Sequence, residues 1–511
     1  MSSPDPWPVI EQLADVWTLD LAEACEQRFA IATLEQCQRL VWLLARVPAP
    51  SARAVLLRRL ALSTGAAAAQ ILRALSSARV GVPTAQIVRL FDEAPLEAVV
   101  AAGFAGDPVL VPALMTRLDD PTLGRHAALA LAMLNACELS GRIASMIRPH
   151  TRDGSGFIVA LEVMNDPGVV PQLLELLRTG HDHAWDLHHA LWRLTGREPL
   201  VPLTADRDAS NRATANAWRT FDLDVPPRPR LERLAVDEAS GVASFDVIDG
   251  DGLIRIDYDS PSPGSTWSRW NKSLFVGPDR WYAVGSDCGT CETTLRLVGY
   301  PPPTAAVVAG EIRRLVADAP RLESSSIEAL RPYITKLRTG HYLAFLVDLD
   351  LEYVASPERS WLARRVMHRV GDDEPEDATA HWLGTEHYQV RAPSLEGVPT
   401  FGLVLPAVSL VTLDADTVEA SAASIVAGRH PTALVMSWVE RKYVRAEFDE
   451  RFLVSVVLDG HHKLAAYARL DRPARVLAVC RLEETWGPPS DRSLWLRESF
   501  AALGAGGKGS A

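Results

Sequence analysis

The chain has 511 residues, of which 48% are hydrophobic and 23% are charged. This composition is ordinary for folded protein, and the length predicts two to four domains rather than one. A net charge of −12 disfavours a protein that coats nucleic acid nonspecifically, and six cysteines are too few for a disulfide scaffold. Neither a signal sequence nor an apolar run of roughly 18 residues is evident, so we expect a cytoplasmic protein without a membrane span.

Residues 1–222 carry the apolar spacing of amphipathic helices. Apolar residues three and four positions apart mark one helix face, as at Leu40, Leu43, Leu44 and Val47. The pattern Asp-Pro-x-x-Val-Pro-x-Leu occurs at 107–114 and again at 166–173, an offset of 59 residues. In each copy the aspartate is suited to a helix N-cap and the proline to the first turn. The sequence therefore predicts helical hairpins that repeat.

These hairpins resemble HEAT-type repeats. The resemblance implies a stacked solenoid over residues 1–224, and solenoids of this kind bind a protein partner on their concave surface. The alternative is an irregular helical domain without a true repeat.

An α+β region is predicted to follow. Residues 225–232 are rich in proline and indicate a stiff linker, and residues 233–400 form the next predicted domain. Within it we expect a β-hairpin around Asp-Gly at 244–258, strands near 274–285 and 341–353, and helices over 304–318 and 325–338. Residues 371–377 are predicted to be a solvated loop, and the glycine-rich tail, residues 504–511, to be disordered.

Cys288 and Cys291 form a C-x-x-C sequence after a predicted strand. Two thiols at this spacing suit one metal ion or a redox pair, and a helix N-terminus would lower the pKa of Cys288. A zinc site needs about two further ligands, and no second C-x-x-C exists. A structural turn is therefore favoured, while zinc binding and redox chemistry stay open.

The most informative stretch is residues 456–467. An apolar run ends in Asp459-Gly460, His461-His462-Lys463 follow, and an alanine-rich segment begins. This order predicts a strand, a tight turn and a helix. Helix N-termini attract anions, a glycine lets backbone approach a phosphate, and a lysine adds positive charge. The alternative is a common Asp-Gly turn followed by histidines that cap a helix.

Further residues extend this pattern. Gly428 and Pro431 form a Gly-x-x-Pro element upstream, and residues 475–480 read as a buried strand. Over about residues 408–485 the order resembles the ParB/sulfiredoxin fold superfamily, whose members carry Asp-Gly-His-His-Arg or a relative at the turn. We therefore expect a ParB/sulfiredoxin-like domain over residues 401–503, at the end of a multidomain chain that begins with an all-α HEAT-like solenoid.

The resemblance implies that the turn binds nucleotide phosphates. By this resemblance Gly460, His461, His462 and Lys463 occupy the phosphate-turn positions. We therefore expect Gly460, Lys463, Gly428 and Pro431 to bind the phosphates and, if the chain is an enzyme, His461, His462 and Asp459 to be catalytic. Two departures from the family matter. Sulfiredoxins have their reactive cysteine where this chain has His461, which disfavours reduction of sulfinic acids. Lys463 replaces the final arginine, which keeps the positive charge but loses the bidentate fork.

The sequence leaves an enzyme and a binding protein open. As an enzyme, the chain would be a phosphotransferase or nucleotidase that uses ATP or another NTP with Mg²⁺, with the histidines at the transferring phosphate and Asp459 orienting the turn or helping to hold the Mg²⁺. As a binding protein, the same turn would sense a nucleotide, or bind none, while the solenoid recruits a protein partner. The acidic charge and the lack of a helix-turn-helix disfavour a third possibility, DNA handling as in partition proteins.

Overall fold

The computed structural model describes residues 17–32, 34–47, 49–148, 154–179, 182–204, 206–237, 239–258, 271–285, 322–356, 359–360, 386–395, 397–443, 449–485 and 487–504. Two compact units divide the chain, with the boundary between Thr195 and Gly196. The predicted boundary at 224/225 therefore lies too far along the chain. Residues 196–222 belong to the second unit, and the last part of the predicted linker is already strand, because β1 begins at Arg230.

The first unit is helical. Its helices are α1 Leu19–Ile31, α2 Leu34–Arg46, α3 Pro50–Leu62, α4 Gly65–Ser77, α5 Thr84–Leu90, α6 Pro95–Ala105, α7 Val111–Met115, α8 Gly124–Met133, α9 Ser140–Ser145, α10 Gly154–Met164, α11 Val170–Arg178 and α12 Ala184–Thr195. The second unit begins with one more helix, α13 Arg207–Thr220. In the described part of residues 17–222 no strand is present, which confirms the helical prediction there. None of the described helices combines the length and the apolar run required to cross a bilayer.

A repeated unit is visible in the backbone. A left-handed residue follows each of the helices α4, α6, α8, α10 and α12, namely Arg79, Gly106, Asn135, Asn165 and Gly196. These positions are roughly 30 residues apart, a period typical of helical repeats. The same five helices pack against each other in chain order, so each hairpin contacts the next. The 59-residue offset found in the sequence therefore contains two such hairpins.

The two Asp-Pro segments have the same local structure. Asp107 and Asp166 each cap a short 3₁₀ turn by accepting a hydrogen bond from the backbone N–H two residues later, at 3.0 and 2.9 Å. Each carboxylate also accepts a hydrogen bond from a hydroxyl of the preceding hairpin, Thr84 for the first and Ser140 for the second. The aspartate of each repeated segment therefore caps a 3₁₀ turn and also forms a hydrogen bond with the preceding hairpin.

The second unit contains two β-sheets. A nine-stranded sheet has the order β1-β2-β6-β12-β10-β11-β9-β8-β7, and a three-stranded sheet has the order β3-β4-β5. The strands are β1 Arg230–Asp237, β2 Val242–Asp251, β3 Ile254–Tyr258, β4 Asn271–Val276, β5 Asp279–Gly285, β6 Arg338–Leu349, β7 Leu351–Val354, β8 His387–Val390, β9 Thr400–Leu405, β10 Ala433–Tyr443, β11 Asp449–Asp459 and β12 Ala474–Arg481. The pairs β10–β12 and β11–β9 are parallel, and the other pairs are antiparallel.

Two predictions about this unit are wrong. The Asp251-Gly252 turn does not close a hairpin, because β2 and β3 belong to different sheets. The backbone N–H of Gly252 instead donates to the Leu337 carbonyl, which directs the chain from one sheet to the other. The predicted boundary at 400/401 falls inside the large sheet, since β9 begins at Thr400 and pairs with both β8 and β11. The two predicted domains, residues 233–400 and 401–503, are therefore parts of one unit.

Other elements agree with the sequence. The strands near 274–285 and 341–353 are β4, β5, β6 and β7, and the helix near 325–338 is present as α14 Ser324–Ala329 and α15 Arg331–Ile334. The predicted helix at 304–318, the loop at 371–377 and most of the tail lie outside the described residues.

Opposite faces of the large sheet are covered differently. One face packs against α16 Ala415–Val426, α17 His461–Arg469 and α18 Arg492–Leu503, with Ile425, Leu464 and Phe500 in the shared core. The other face packs against the small sheet and against α14 and α15. Alternate residues of each central strand are thus buried on opposite faces, as in a sheet with two covered faces.

Candidate functional site

The predicted strand-turn-helix is present. β11 ends at Asp459, Gly460 adopts a left-handed conformation with φ of 100°, and α17 begins at His461. A Cβ added to Gly460 would lie 2.8 Å from both Cα and Cβ of Ala433, at the start of β10. The turn therefore needs glycine for its backbone conformation and for the close approach of β10.

Lys463 connects the two predicted phosphate elements. Its Nζ donates to the Thr432 carbonyl at 2.8 Å and lies 3.3 Å from Oδ2 of Asp459. Thr432 follows Pro431 directly, so the Gly-x-x-Pro element lies beside the start of α17. Gly428, with φ of 83°, ends α16 in a left-handed cap, in which the N–H of Arg429 donates to the Ser424 carbonyl at 3.1 Å.

The two histidines face a different segment. Nε2 of His461 accepts a hydrogen bond from the backbone N–H of Ala407 at 3.0 Å, and Nε2 of His462 accepts one from Asp414 at 3.1 Å. Because the donors are backbone N–H groups, both imidazoles carry an unprotonated Nε2 in this geometry. His461 and Asp459 are both buried, with 8% and 5% of their surface exposed. The catalytic roles given to these three residues stay predictions.

The start of α17 combines helix N–H groups and basic side chains with the carboxylate of Asp459, which lies 3.3 Å from Lys463. The first turn of α17 contains no acidic residue, and the first N–H groups of any helix lack acceptors within that helix. Arg429 and His430 are exposed on the loop after α16. Asp414 is the N-cap of α16, and hydrogen bonds from the Thr417 hydroxyl and backbone N–H hold the pKa of its carboxyl below the usual value.

Cys288 and Cys291, the predicted cysteine site, lie between residues 286 and 321, outside the described residues. Within the described ranges, no group of three or more His, Cys, Asp or Glu side chains is arranged to hold a metal ion.

Sequence analysis missed a buried network of charged side chains in the second unit. Arg338 donates to Glu198 through two nitrogens, at 2.6 and 2.8 Å, and the two side chains are 5% and 2% exposed. Arg481, the last residue of β12, contacts Glu198 at 3.4 Å and Glu484 at 2.7 Å, and donates to the Thr339 carbonyl. These groups come from three distant parts of the chain.

A second part of the network lies between the two sheets. Lys272 on β4 donates to Oε1 of Glu440 on β10 at 2.7 Å, and the indole N–H of Trp438 donates to the same oxygen at 2.8 Å. Burial alone would lower the pKa of Lys272, but the nearby Glu440, Tyr258 and Glu484 raise it above its usual value. The only sequence signal was a charge within an apolar strand, as in Val-Met-Ser-Trp-Val-Glu at 435–440.

Comparisons of the chain with protein-family models, with curated proteins and with solved structures found no match. Functional conclusions about this chain therefore depend on the geometry of its own residues.

Proposed function

We propose that the second unit binds a nucleotide through its phosphates at the start of α17 and acts as a non-catalytic nucleotide sensor. The observation that carries this proposal is the bridge formed by Lys463. One ammonium contacts both Thr432, beside the Gly-x-x-Pro element, and Asp459, at the end of β11. The two segments that the ParB/sulfiredoxin resemblance assigns to phosphate binding therefore meet at a helix N-terminus.

The chemistry of this position suits phosphate oxygens. Backbone N–H groups of the first turn of α17 supply donors, and the helix dipole favours negative charge. Lys463 adds an ammonium group that its two protein contacts hold in place, and the carboxylate of Asp459 offsets part of its charge. Arg429 and His430 add basic side chains on the exposed loop between α16 and β10.

A sensor is favoured over a phosphotransferase because of the histidines. A histidine that contacts a transferring phosphate needs a ring nitrogen directed at the ligand. Nε2 of both His461 and His462 is bonded to backbone of residues 407–414, so only Nδ1 of each ring could make that contact in this arrangement. The same bonds connect the predicted phosphate turn to that segment. A ligand at the turn would therefore affect the position of a segment that it does not touch.

Titration calorimetry of the full chain with ATP, ADP, CTP and GTP, each with and without Mg²⁺, tests the proposal. Lys463→Ala should weaken binding by about 1–3 kcal/mol, the scale of a hydrogen bond to a charged group. Arg469→Ala is the matched control, because it removes a positive charge from the other end of α17, where Arg469 forms an exposed ion pair with Glu419. The Arg469→Ala variant should bind nucleotide with the same affinity as the unaltered chain.

Two results would contradict the proposal. The first is no nucleotide binding by the unaltered chain, and the second is equal affinity in the unaltered chain and in Lys463→Ala. Release of inorganic phosphate from a bound NTP, reduced in His462→Ala at unchanged affinity, would instead establish the phosphotransferase or nucleotidase alternative.

A second function, binding of a protein partner by a HEAT-like solenoid, is favoured by the repeated hairpins of the first unit. Repeat arrays present extended surfaces that commonly bind partners. Leu62, Val88 and Val109 are exposed apolar residues on successive hairpins. Substituting all three by aspartate should abolish a stoichiometric complex with the protein partner. The control is Val411→Asp, which replaces an equally exposed apolar residue of the second unit and should keep the complex. Retention of the complex in the triple variant would exclude these residues from the binding surface.

A further inference from the structure

The two hydrogen bonds that connect the start of α17 to residues 407–414 exist only while two histidines are neutral. Nε2 of His461 accepts the backbone N–H of Ala407 at 3.0 Å. Nε2 of His462 accepts the backbone N–H of Asp414 at 3.1 Å. A backbone N–H can only donate, so each accepting nitrogen must lack a proton. A second ring proton would place two N–H groups against each other at these distances, and protonation therefore removes both bonds.

The bond of His461 is shielded from water. His461 is 8% exposed, and Ala407 is fully buried. A buried N–H that loses its acceptor is costly because water cannot replace the bond, so this arrangement binds the neutral ring and disfavours the charged one. The stability that the bond contributes is present at alkaline pH. It is lost as the pH falls through the range in which histidine takes up its second proton, near ~6.5 for an exposed ring.

His462 has a partner for each of its protonation states. The ring is half-buried, and in its neutral form it accepts the backbone N–H of Asp414. Besides the hydrogen bonds from Thr417, a positive charge on His462 lowers the pKa of the Asp414 carboxyl, so an imidazolium and this carboxylate attract each other. Protonation therefore draws the ring from the N–H to the carboxylate. Because the same carboxylate caps α16 through Thr417, the charged ring also competes with the cap.

Charges of both signs surround the two rings. The charged and titratable groups around the start of α17 come from its own turn, from the start of α16 and from the loop after α16, and they are Asp459, Lys463, Asp414, Asp416, Arg429 and His430. Among the strands packed against α17, Glu352 on β7 and Arg475 on β12 are held in ion pairs, and β10 has no charged residue before Glu440. The effect of protonation therefore depends mainly on the two directed hydrogen bonds.

We propose that residues 407–414 are held to the turn at neutral and alkaline pH and are released when His461 and His462 are protonated. The release depends only on the two rings and their backbone donors. Its consequence for sensing rests on the proposed function. A nucleotide bound at about pH 5.5 would no longer affect residues 407–414, because the bonds that would transmit the effect are absent. The turn would therefore report a nucleotide only above the pH range in which these histidines are protonated.

Amide-resolved hydrogen exchange of the full chain without nucleotide, at about pH 8 and about pH 5.5, tests the release. After correction for the intrinsic exchange rate at each pH, protection of the Ala407 and Asp414 amides should fall at least about tenfold at the lower pH. In the double variant His461→Gln/His462→Gln the protection should be equal at both pH values, because a glutamine oxygen accepts an N–H at any pH. His430→Gln, which removes an exposed histidine from the loop after α16, is the control and should keep the fall.

Exchange in β2 of the same samples reports whether each variant keeps its fold. His462→Gln alone, which changes only the half-buried ring, should remove the response of Asp414 and leave that of Ala407. Equal protection of both amides at the two pH values in the unaltered chain would overturn the proposal, and so would a fall of the same size in the double variant.

Addition of ATP to the unaltered chain separates this inference from the proposed function. Absence of ATP binding at both pH values would contradict the nucleotide site and leave the release of residues 407–414 supported by the exchange measured without nucleotide. An effect of ATP on the exchange of residues 407–414 that is equal at both pH values would overturn the pH-dependent connection.

Discussion

Replacement of Glu198 by glutamine should destabilise the second unit by about 3–5 kcal/mol, the usual cost of breaking a buried ion pair on one side only. Arg338 donates to both carboxylate oxygens, at 2.6 and 2.8 Å, and both side chains are almost fully buried. Glutamine keeps one acceptor oxygen but turns an amide N–H₂ group toward a guanidinium donor. The retained hydrogen bond places the expected loss near 3 kcal/mol, at the lower end of that range.

Native-state hydrogen exchange of the β6 amides is the appropriate measurement, because a chain of two units has no single free energy of unfolding. Glu328→Gln is the matched control. Glu328 forms the same bidentate pair with Arg331, at 2.7 Å for both bonds, but these side chains are 45% and 43% exposed. Exposed pairs contribute about 0–1 kcal/mol. Equal effects of Glu198→Gln and Glu328→Gln would refute the argument that burial gives the Glu198 pair its importance.

Two other predictions concern the repeat and the turn. Hydrogen bonds hold the pKa values of the Asp107 and Asp166 carboxyls below the usual value. The stability that these two ionised carboxylates contribute is fully present above the unfolded-state pKa of about 3.9, and it is lost as the pH falls through their lower folded-state pKa values. Thermal unfolding followed by circular dichroism at 222 nm should therefore show a lower melting temperature below about pH 4 than at pH 7, with a smaller acid effect in Asp166→Ala, and an equal acid effect in the variant and the unaltered chain would contradict this. Gly460→Ala should destabilise α17 more than Gly428→Ala destabilises α16, because both change a left-handed residue but only Gly460 also meets Ala433 at 2.8 Å. Hydrogen exchange of the two helices measures the difference, and equal losses of about 1–2 kcal/mol would show that the contact with Ala433 relaxes.

Local patterns carried most of the correct predictions. Apolar spacing and the Asp-Pro starts identified the helices of the first unit, and the break after Leu458 identified the turn before α17. Both features depend on residues close together in the sequence. The hairpin predicted at Asp251-Gly252 was wrong because it depended on which strands pair, and the partners of β2 are β1 and β6 rather than β3. Pairing between strands far apart in sequence leaves no local signal.

The buried network shows the same limitation in the candidate sites. Glu198, Arg338 and Arg481 are each unremarkable in their own segments, and only the fold brings them together. The histidines of the turn differ, since the sequence placed them correctly at the start of α17. It did not show that the backbone of residues 407–414 donates to both rings, because those donors arrive from the loop after β9.

These two bonds determine what a nucleotide at the turn would do. A ligand changes a protein's conformation only as far as it binds one arrangement more tightly than another. Phosphate that draws the first turn of α17 toward itself would change the positions of His461 and His462, which hold the backbone of Ala407 and Asp414. A nucleotide that binds without changing hydrogen exchange in residues 407–414 would therefore exclude the sensor and leave only simple binding. The sequence predicted His461 and His462 to be catalytic. In a sensor they would instead transmit ligand binding at the turn to the backbone of residues 407–414.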